Sequence, residues 1–207
     1  GGLQNRDCRA FRPGCRKAQR QATLFAEARK SLPFILVAPL VVTNGGPGYR
    51  TVPTYHYTDA VWNQIERSGP FQFDSAGIAA VVADARNLYG GEGKYFLTGW
   101  EAGGHTVWAM LLQHPEDLRA VAPVSTNYQG RWMSPENFSS APERVNLPLK
   151  VLRVEALPEA FAGQMSAAME TAEAHGYRNV SMTIIPGKPH GPLADEVLHY
   201  FASLLGM

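Results

Sequence analysis

The stretch Tyr95-Phe-Leu-Thr-Gly-Trp-Glu-Ala-Gly-Gly104 decides the fold of this 207-residue chain. Its first four residues form a short apolar run, which predicts a strand buried in a sheet. The glycines mark a tight turn, and residues 105–114 predict a helix directly after it. Gly99-x-Glu101-x-Gly103 therefore lies between a strand and a helix. This is the setting of a nucleophile elbow, whose central residue has a strained backbone and projects into a site.

The residues next to Glu101 fit such a turn. Strand and helix approach each other closely there, and the small residues Ala102 and Gly103 are expected to make that approach possible. The backbone amide of Ala102, at the start of the helix, is expected to point towards a developing oxyanion.

The rest of the chain predicts an α/β fold with one domain over residues 1–207. Residues 1–20 are polar and are expected to be irregular. Apolar runs predict further strands, and periodic segments predict further helices. The predicted strands cover 34–39, 120–124, 149–154 and 180–185; the predicted helices cover 21–30, a segment from Asp74 or Ser75 to 88, 163–175 and 193–205. Strands that alternate with helices predict a mostly parallel sheet covered on both faces, with its sites at the carboxyl ends of the strands.

Composition argues against several kinds of partner for this chain. A formal net charge of +1 gives no reason to expect a nucleic acid partner, and no apolar run reaches the roughly 20 residues of a membrane span. Cys8 and Cys15 are either two free thiols or a small disulfide, and we favour the disulfide, which indicates an oxidising compartment. A zinc site is poorly supported because no third ligand has suitable spacing. We predict no metal and no organic cofactor.

Several blocks in order resemble the polyhydroxybutyrate-depolymerase and feruloyl-esterase-like branch of the α/β-hydrolases. The blocks are Phe34-Ile-Leu-Val-Ala-Pro, Trp62 before Gly77-Ile-Ala-Ala-Val-Val82, the elbow block 95–104, His114-Pro-Glu, and Ala120-Val-Ala-Pro-Val-Ser125. The resemblance spans roughly residues 30–207. It implies an α/β-hydrolase fold and an ester-like substrate, small or polymeric. It departs from the family at Glu101, where the family has a nucleophilic serine.

The resemblance also implies roles for other residues. The loop Pro186-Gly-Lys-Pro-His-Gly-Pro192 resembles the catalytic histidine loop, so His190 is the predicted proton-transfer residue. The family's acid normally follows the strand 149–154 as an aspartate. This chain has Glu159 or, as the weaker choice, Glu155 in that region.

The start of the chain has two interpretations. Gly1-Gly2 resemble the tail of the family's oxyanion segment, with the amide of Gly2 as second donor. In that case the first strands of the fold belong to a missing segment or to a second chain. Alternatively, the two glycines are a tag remnant.

Aromatic residues are candidates for lining a substrate cleft: Trp100 beside Glu101, and Tyr55 and Trp62 of the aromatic-rich loop 49–62. Family resemblance and the two cysteines predict a secreted or periplasmic protein. The glutamate at the elbow leaves three interpretations open: a covalent carboxylate nucleophile, an acid–base pair with His190, or an inactive site in a ligand-binding or assembly module. We lean towards the hydrolase.

Overall fold

The computed structural model describes residues 12–29, 32–39, 75–127 and 135–207. Backbone contacts divide the chain into two compact units, Gly1–Tyr89 and Gly90–Met207. The prediction of a single domain stays a prediction.

The first unit contains two helices in its described part. Helix α1 covers Arg12–Arg29 and helix α2 covers Ser75–Tyr89. The prediction that residues 1–20 are irregular is therefore wrong from Arg12 onward. Arg, Lys, Gln and Ala form helices well without an apolar face, so hydrophobic periodicity alone missed this part of α1. The end of α2 agrees with the prediction, because Gly90 follows it with a positive φ of 78°.

The apolar run 34–39 is not a strand. Residues 32–39 have no regular secondary structure, and Ile35 and Val37 are each 45% exposed. The backbone turns after α1, where the Leu32 amide donates to the Arg29 carbonyl at 2.7 Å and Arg29 Nη1 donates to the Phe34 carbonyl at 2.7 Å. An apolar run becomes a strand only when a neighbouring strand completes its backbone hydrogen bonds. No described residue pairs with this segment in a sheet.

The second unit is built on a four-stranded sheet in which each strand pairs with the next one in sequence, in the order β1-β2-β3-β4. All three described pairings are parallel. The elements in chain order are β1 Tyr95–Trp100, α3 Ala102–Gln113, β2 Leu118–Val124, β3 Leu149–Val154, α4 Glu159–Ala174, β4 Val180–Ile185 and α5 Ala194–Ser203. Short 3₁₀ helices cover Pro115–Asp117, Pro135–Asn137 and Pro142–Val145. The predicted parallel α/β sheet is confirmed.

Helices cover both faces of this sheet. On one face Gly99 of β1 lies directly against Gly103 and Val107 of α3. On the other face the ring of Phe96 stacks on Phe201 of α5, with centroids 4.7 Å apart. Strand β2 is buried at six of its seven residues because it lies inside the sheet, between β1 and β3. Helix α3 is buried over most of its circumference, as expected for a helix that is apolar on every side.

Two tyrosines of the second unit have a raised pKa. Burial raises the pKa of Tyr200 to about 12. Burial also raises the pKa of Tyr177, whose hydroxyl donates to the Leu111 carbonyl, although nearby Arg144 opposes the rise. Both phenols are therefore neutral in the folded protein at pH values where an unfolded tyrosine loses its proton.

Replacing Tyr200 by phenylalanine is expected to reduce the loss of stability at alkaline pH. Between pH 10 and about 12 an unfolded Tyr200 releases its proton while the folded one keeps it, so folding stability is full below pH 10 and falls as pH rises through this window. Phenylalanine keeps the ring beside Phe201 and removes the titration. The measurement is Tm from about pH 8 to about pH 12. An unchanged alkaline slope in Tyr200→Phe would contradict the assignment.

Candidate functional site

The carboxyl ends of the four parallel strands lie at one edge of the sheet, and most of the predicted site residues follow them. Glu101 follows β1, Glu155 follows β3, and the loop with His190 follows β4. Between them, the segment Ser125–Asn127 follows β2. This edge is where ligands bind in parallel α/β sheets.

Glu101 occupies the turn from β1 into α3 with a strained backbone. Its φ is 54° and its ψ is −122°, a region that residues with a Cβ rarely adopt. Two hydrogen bonds fix the turn: the Glu101 amide donates to the Val124 carbonyl at 3.2 Å, and the Gly104 amide donates to the Glu101 carbonyl at 2.9 Å. The side chain is exposed. Ala102 is the first residue of α3, so its amide belongs to the first turn of that helix, whose amides have no acceptor within the helix.

The close approach around the elbow involves Gly99, the backbone of Gly103, and Gly104. A Cβ on Gly99 would lie 2.7 Å from the Gly103 carbonyl oxygen, and a Cβ on Gly104 would lie 2.1 Å from Cγ2 of Thr126. A Cβ on Gly103 would meet nothing within 4 Å. The backbone of Gly103 therefore lies at the close approach to β1, but position 103 itself does not require a glycine, because a Cβ there would be unobstructed.

His190 reaches back from β4 to the elbow. Its ring lies 5.1 Å from the ring of Trp100, between centroids, with the two planes at 54°. Lys188 anchors this loop through an ion pair with Glu196 at 3.1 Å, and Leu193 anchors it as a buried residue.

The predicted catalytic residues do not all contact one another. Among the described residues, no ion pair within 4.0 Å joins His190 to Glu101, Glu155 or Glu159. Glu155 donates its amide to the Ile185 carbonyl at 3.0 Å, which ties it to β4. Glu159 lies in the first turn of α4, where a carboxylate stabilises the helix dipole. The structure thus brings His190 to the elbow and gives Glu159 a helix-capping environment.

Other predicted site residues lie outside the described part of the chain: Gly2, Tyr55, Trp62 and Cys8. The backbone of Cys15 lies in α1. The disulfide and the aromatic cleft therefore stay predictions. No helix in the described ranges is long and apolar enough to cross a membrane.

One group of side chains has the donor types of a metal site. Ligand atoms of His114, Glu116 and Asp117 all lie within 4.8 Å of one another, and the two carboxylates are exposed. His114 Nδ1 lies 3.7 Å from Oε1 of Glu116, which is an ion pair when the imidazole is protonated. This group lies at the end of α3 opposite the elbow and contributes nothing to the candidate site.

Sequence reasoning missed a polar segment beside the elbow. Ser125, Thr126 and Asn127 follow β2 and are all buried. Thr126 packs against Gly104 of the elbow, and Asn127 Nδ2 donates to Oε1 of Gln164 in α4. His105 Nδ1 lies 3.2 Å from the Asn127 carbonyl oxygen. The signal in the sequence was three polar residues directly after an apolar strand, at the edge where sites form.

Several solved structures resemble this fold. A thermostable esterase matches with a TM-score of 0.46 and 15% identity over 63% of this chain and 35% of its own. Arabidopsis thaliana SOBER1 matches with a TM-score of 0.42 and 21% identity over 60% of this chain and 58% of its own. Esterase PE8 matches with a TM-score of 0.44 and 20% identity over 62% and 58%.

These similarities concern the fold alone. The chain spans between about a third and three fifths of the length of these three proteins. No family model and no curated protein sequence matches the chain.

Proposed function

We propose that this chain is a hydrolase of the α/β-hydrolase type that acts on ester-like bonds, with Glu101 as nucleophile and His190 as proton-transfer residue. The observation that carries the proposal is the strained backbone of Glu101 between β1 and α3. Such strain costs about 1–3 kcal/mol and persists where it serves a site. The ring of His190 beside Trp100 adds an imidazole that can donate or accept a proton.

A carboxylate changes what the site needs from its histidine. A serine must lose its proton to a base in direct contact before it attacks. A carboxylate attacks directly as a nucleophile and needs no such contact. The absence of an ion pair between Glu101 and His190 in the described residues is compatible with this mechanism, because the two groups then leave room for the ester between them.

The proposed reaction has two steps. Glu101 attacks the ester carbonyl carbon, the bond to the alcohol oxygen breaks, and protonated His190 gives its proton to the departing alkoxide. The resulting mixed anhydride between Glu101 and the acyl group is then attacked by water, from which neutral His190 takes a proton. The acid and free Glu101 result. The amide of Ala102 is the proposed donor to the oxyanion.

Trapping of the acyl group tests the first step. Hydroxylamine attacks anhydrides, so incubation of the protein with p-nitrophenyl butyrate and hydroxylamine is expected to yield more butyryl hydroxamate than hydroxylamine forms directly from the ester without protein. In His190→Gln, turnover is expected to fall by about 10²-fold to 10⁴-fold, the usual contribution of a general acid–base group. His199→Gln, on the exposed side of α5, is the matched control and should retain parent rates. Equal rates in both variants would contradict the role of His190.

A second candidate function is an inactive α/β-hydrolase fold that binds a ligand or serves in an assembly. One observation favours it: in the described residues, neither Glu155 nor Glu159 pairs with His190, so no acid orients the imidazole there. A parent protein without hydroxamate formation, together with saturable binding of an ester, would support this alternative.

A further inference from the structure

Three consecutive buried polar residues follow β2 at the edge of the sheet that carries the elbow. Ser125, Thr126 and Asn127 are 8%, 5% and 5% exposed. They come directly after Val124, the residue whose carbonyl accepts the Glu101 amide. Their position therefore combines deep burial with close proximity to the strained residue.

The three side chains have polar atoms that are buried without a partner. In the described residues, Ser125 Oγ, Thr126 Oγ1 and Asn127 Oδ1 make no hydrogen bond. A buried hydroxyl or carbonyl without a partner is costly, and nearly all such groups in native proteins are satisfied by protein, water or ligand. Three in a row at one strand end indicate that a further molecule completes the site.

The backbone at this point is strained as well. Ser125 has a φ of 46°. Glycine adopts positive φ values easily because it has no Cβ, whereas serine has a Cβ and is strained there. Its amide donates to the Leu152 carbonyl of β3 at 2.8 Å, which holds the turn in place. Backbone strain concentrates at binding and catalytic sites, and Ser125 and Glu101 are adjacent examples at the ends of paired strands.

Neighbouring helices fix the segment rigidly. Thr126 packs against Gly104 of α3, and the Asn127 amide group is bound by Gln164 of α4. One N–H of Asn127 Nδ2 donates to Gln164, and Oδ1 is the acceptor of this amide that has no partner. The site is thus preorganised between two helices.

The chemistry of these atoms selects the ligand. Two hydroxyls can donate to an acceptor, whereas Asn127 Oδ1 requires a donor. A carboxylate has no proton to offer Oδ1, and no Lys or Arg bonds to these side chains in the described residues to offset its charge. A neutral group with both a donor and an acceptor, such as a hydroxyl or a primary amide, matches these donor and acceptor types.

We propose that Ser125–Asn127 form a polar subsite beside the elbow, which binds a neutral hydroxyl or primary amide group of the ligand and holds water when no ligand is bound. That this ligand is the substrate of Glu101 rests on the proposed function. The subsite itself rests on the buried atoms, the strained turn and the packing against Gly104.

The sign of a stability change tests whether the subsite is occupied in the free protein. Thr126→Val keeps the shape of the side chain and removes the hydroxyl. If water is bound there, Tm falls by about 2–4 °C, the change expected when one hydrogen bond is lost from a chain of this size. Thr98→Val is the benchmark, since Thr98 Oγ1 donates to the Ala122 carbonyl at 2.7 Å. A higher Tm in Thr126→Val would show a hydroxyl without a partner and would overturn the proposal.

Binding of small probes tests the ligand class. Butanamide, butan-1-ol and butyrate are titrated separately into ¹⁵N-labelled protein, and the side-chain amide resonances of Asn127 are followed. Butanamide and butan-1-ol are expected to shift them, butyrate is not, and Thr126→Val is expected to weaken both responses several-fold. A response to butyrate as strong as that to butanamide, or no response to any probe, would overturn the proposal. Because neither measurement requires turnover, these shifts in a chain that hydrolyses no ester would refute the proposed function and leave the subsite standing.

Discussion

Glu101→Gln is expected to lower kcat/KM for p-nitrophenyl butyrate by about 10³-fold to 10⁶-fold, the range found when a covalent nucleophile is removed. Glutamine keeps the size and the strained backbone of Glu101 but cannot form the anhydride, because its amide oxygen is a poor nucleophile. The protein-dependent part of hydroxamate formation should disappear together with turnover. The measurement is steady-state hydrolysis by parent and variant, with Tm as the check that both are folded.

A serine at the same position distinguishes the two candidate functions. Under the proposed mechanism, Glu101→Ser loses activity, because the described structure shows no contact by which His190 would activate a serine hydroxyl. If the parent is inactive and Glu101→Ser hydrolyses the ester, the chain is an esterase fold that the glutamate has disabled. Glu173→Gln, on the exposed surface of α4, is the matched control for loss of a carboxylate and should leave the rate unchanged.

Gly104→Ala is expected to destabilise the protein strongly. The new methyl group would lie 2.1 Å from Cγ2 and 2.4 Å from Cβ of Thr126, a buried side chain that cannot swing away. Overpacking of this kind costs about 1–3 kcal/mol and at times more, which corresponds to a fall in Tm of about 5 °C or more for a chain of this size. Thermal unfolding of the purified variant is the measurement.

Gly103→Ala, at the neighbouring position, is the control for Gly104→Ala. Gly103 lies in the same helical turn, and a methyl group there meets nothing within 4 Å. Alanine favours the helix over glycine, so Gly103→Ala is expected to raise stability by about 0.5–1 kcal/mol. If both variants unfolded at the same temperature, the close contact between Gly104 and Thr126 would be refuted.

The sequence predicts the sheet of the second unit well because each of its strands can be recognised from its own residues alone. Residues 95–98, 120–124, 149–154 and 180–185 are short apolar runs bounded by turn or helix residues, and all four are strands. Their helices agree as well, with boundaries that differ by a few residues. Each run carries enough apolar residues to favour burial in a sheet, so the segments could be recognised although β3 and β4 also contain polar residues.

Residues 34–39 show where such reasoning fails. Their run is at least as apolar as β2, yet Ile35 and Val37 are exposed and the backbone is irregular. Composition reports that a segment favours burial, but the hydrogen bonds of a strand depend on a second segment far along the chain.

The candidate site was predictable where local geometry defines it. The glycines around Glu101 indicated the strained turn, and its φ of 54° agrees with that prediction. Thr126 and Asn127 were missed because their importance comes from burial by α3 and α4, and a polar residue after a strand is an ordinary loop residue in sequence. Which glycine of the pair 103 and 104 faces the strand likewise depends on the rotation of α3.

The sequential strand order also sets how the second unit can acquire its structure. Leu97 pairs with Val121, Val121 with Leu149, and Leu149 with Val180, so each partner is the next strand to leave the ribosome. Every pairing closes a loop of similar length, and no strand must wait for a distant segment to be inserted between two others. We therefore expect the second unit to assemble from β1 towards β4 during synthesis. His190 reaches Trp100 only after the last strand has been added, so the elbow forms early and its histidine arrives last.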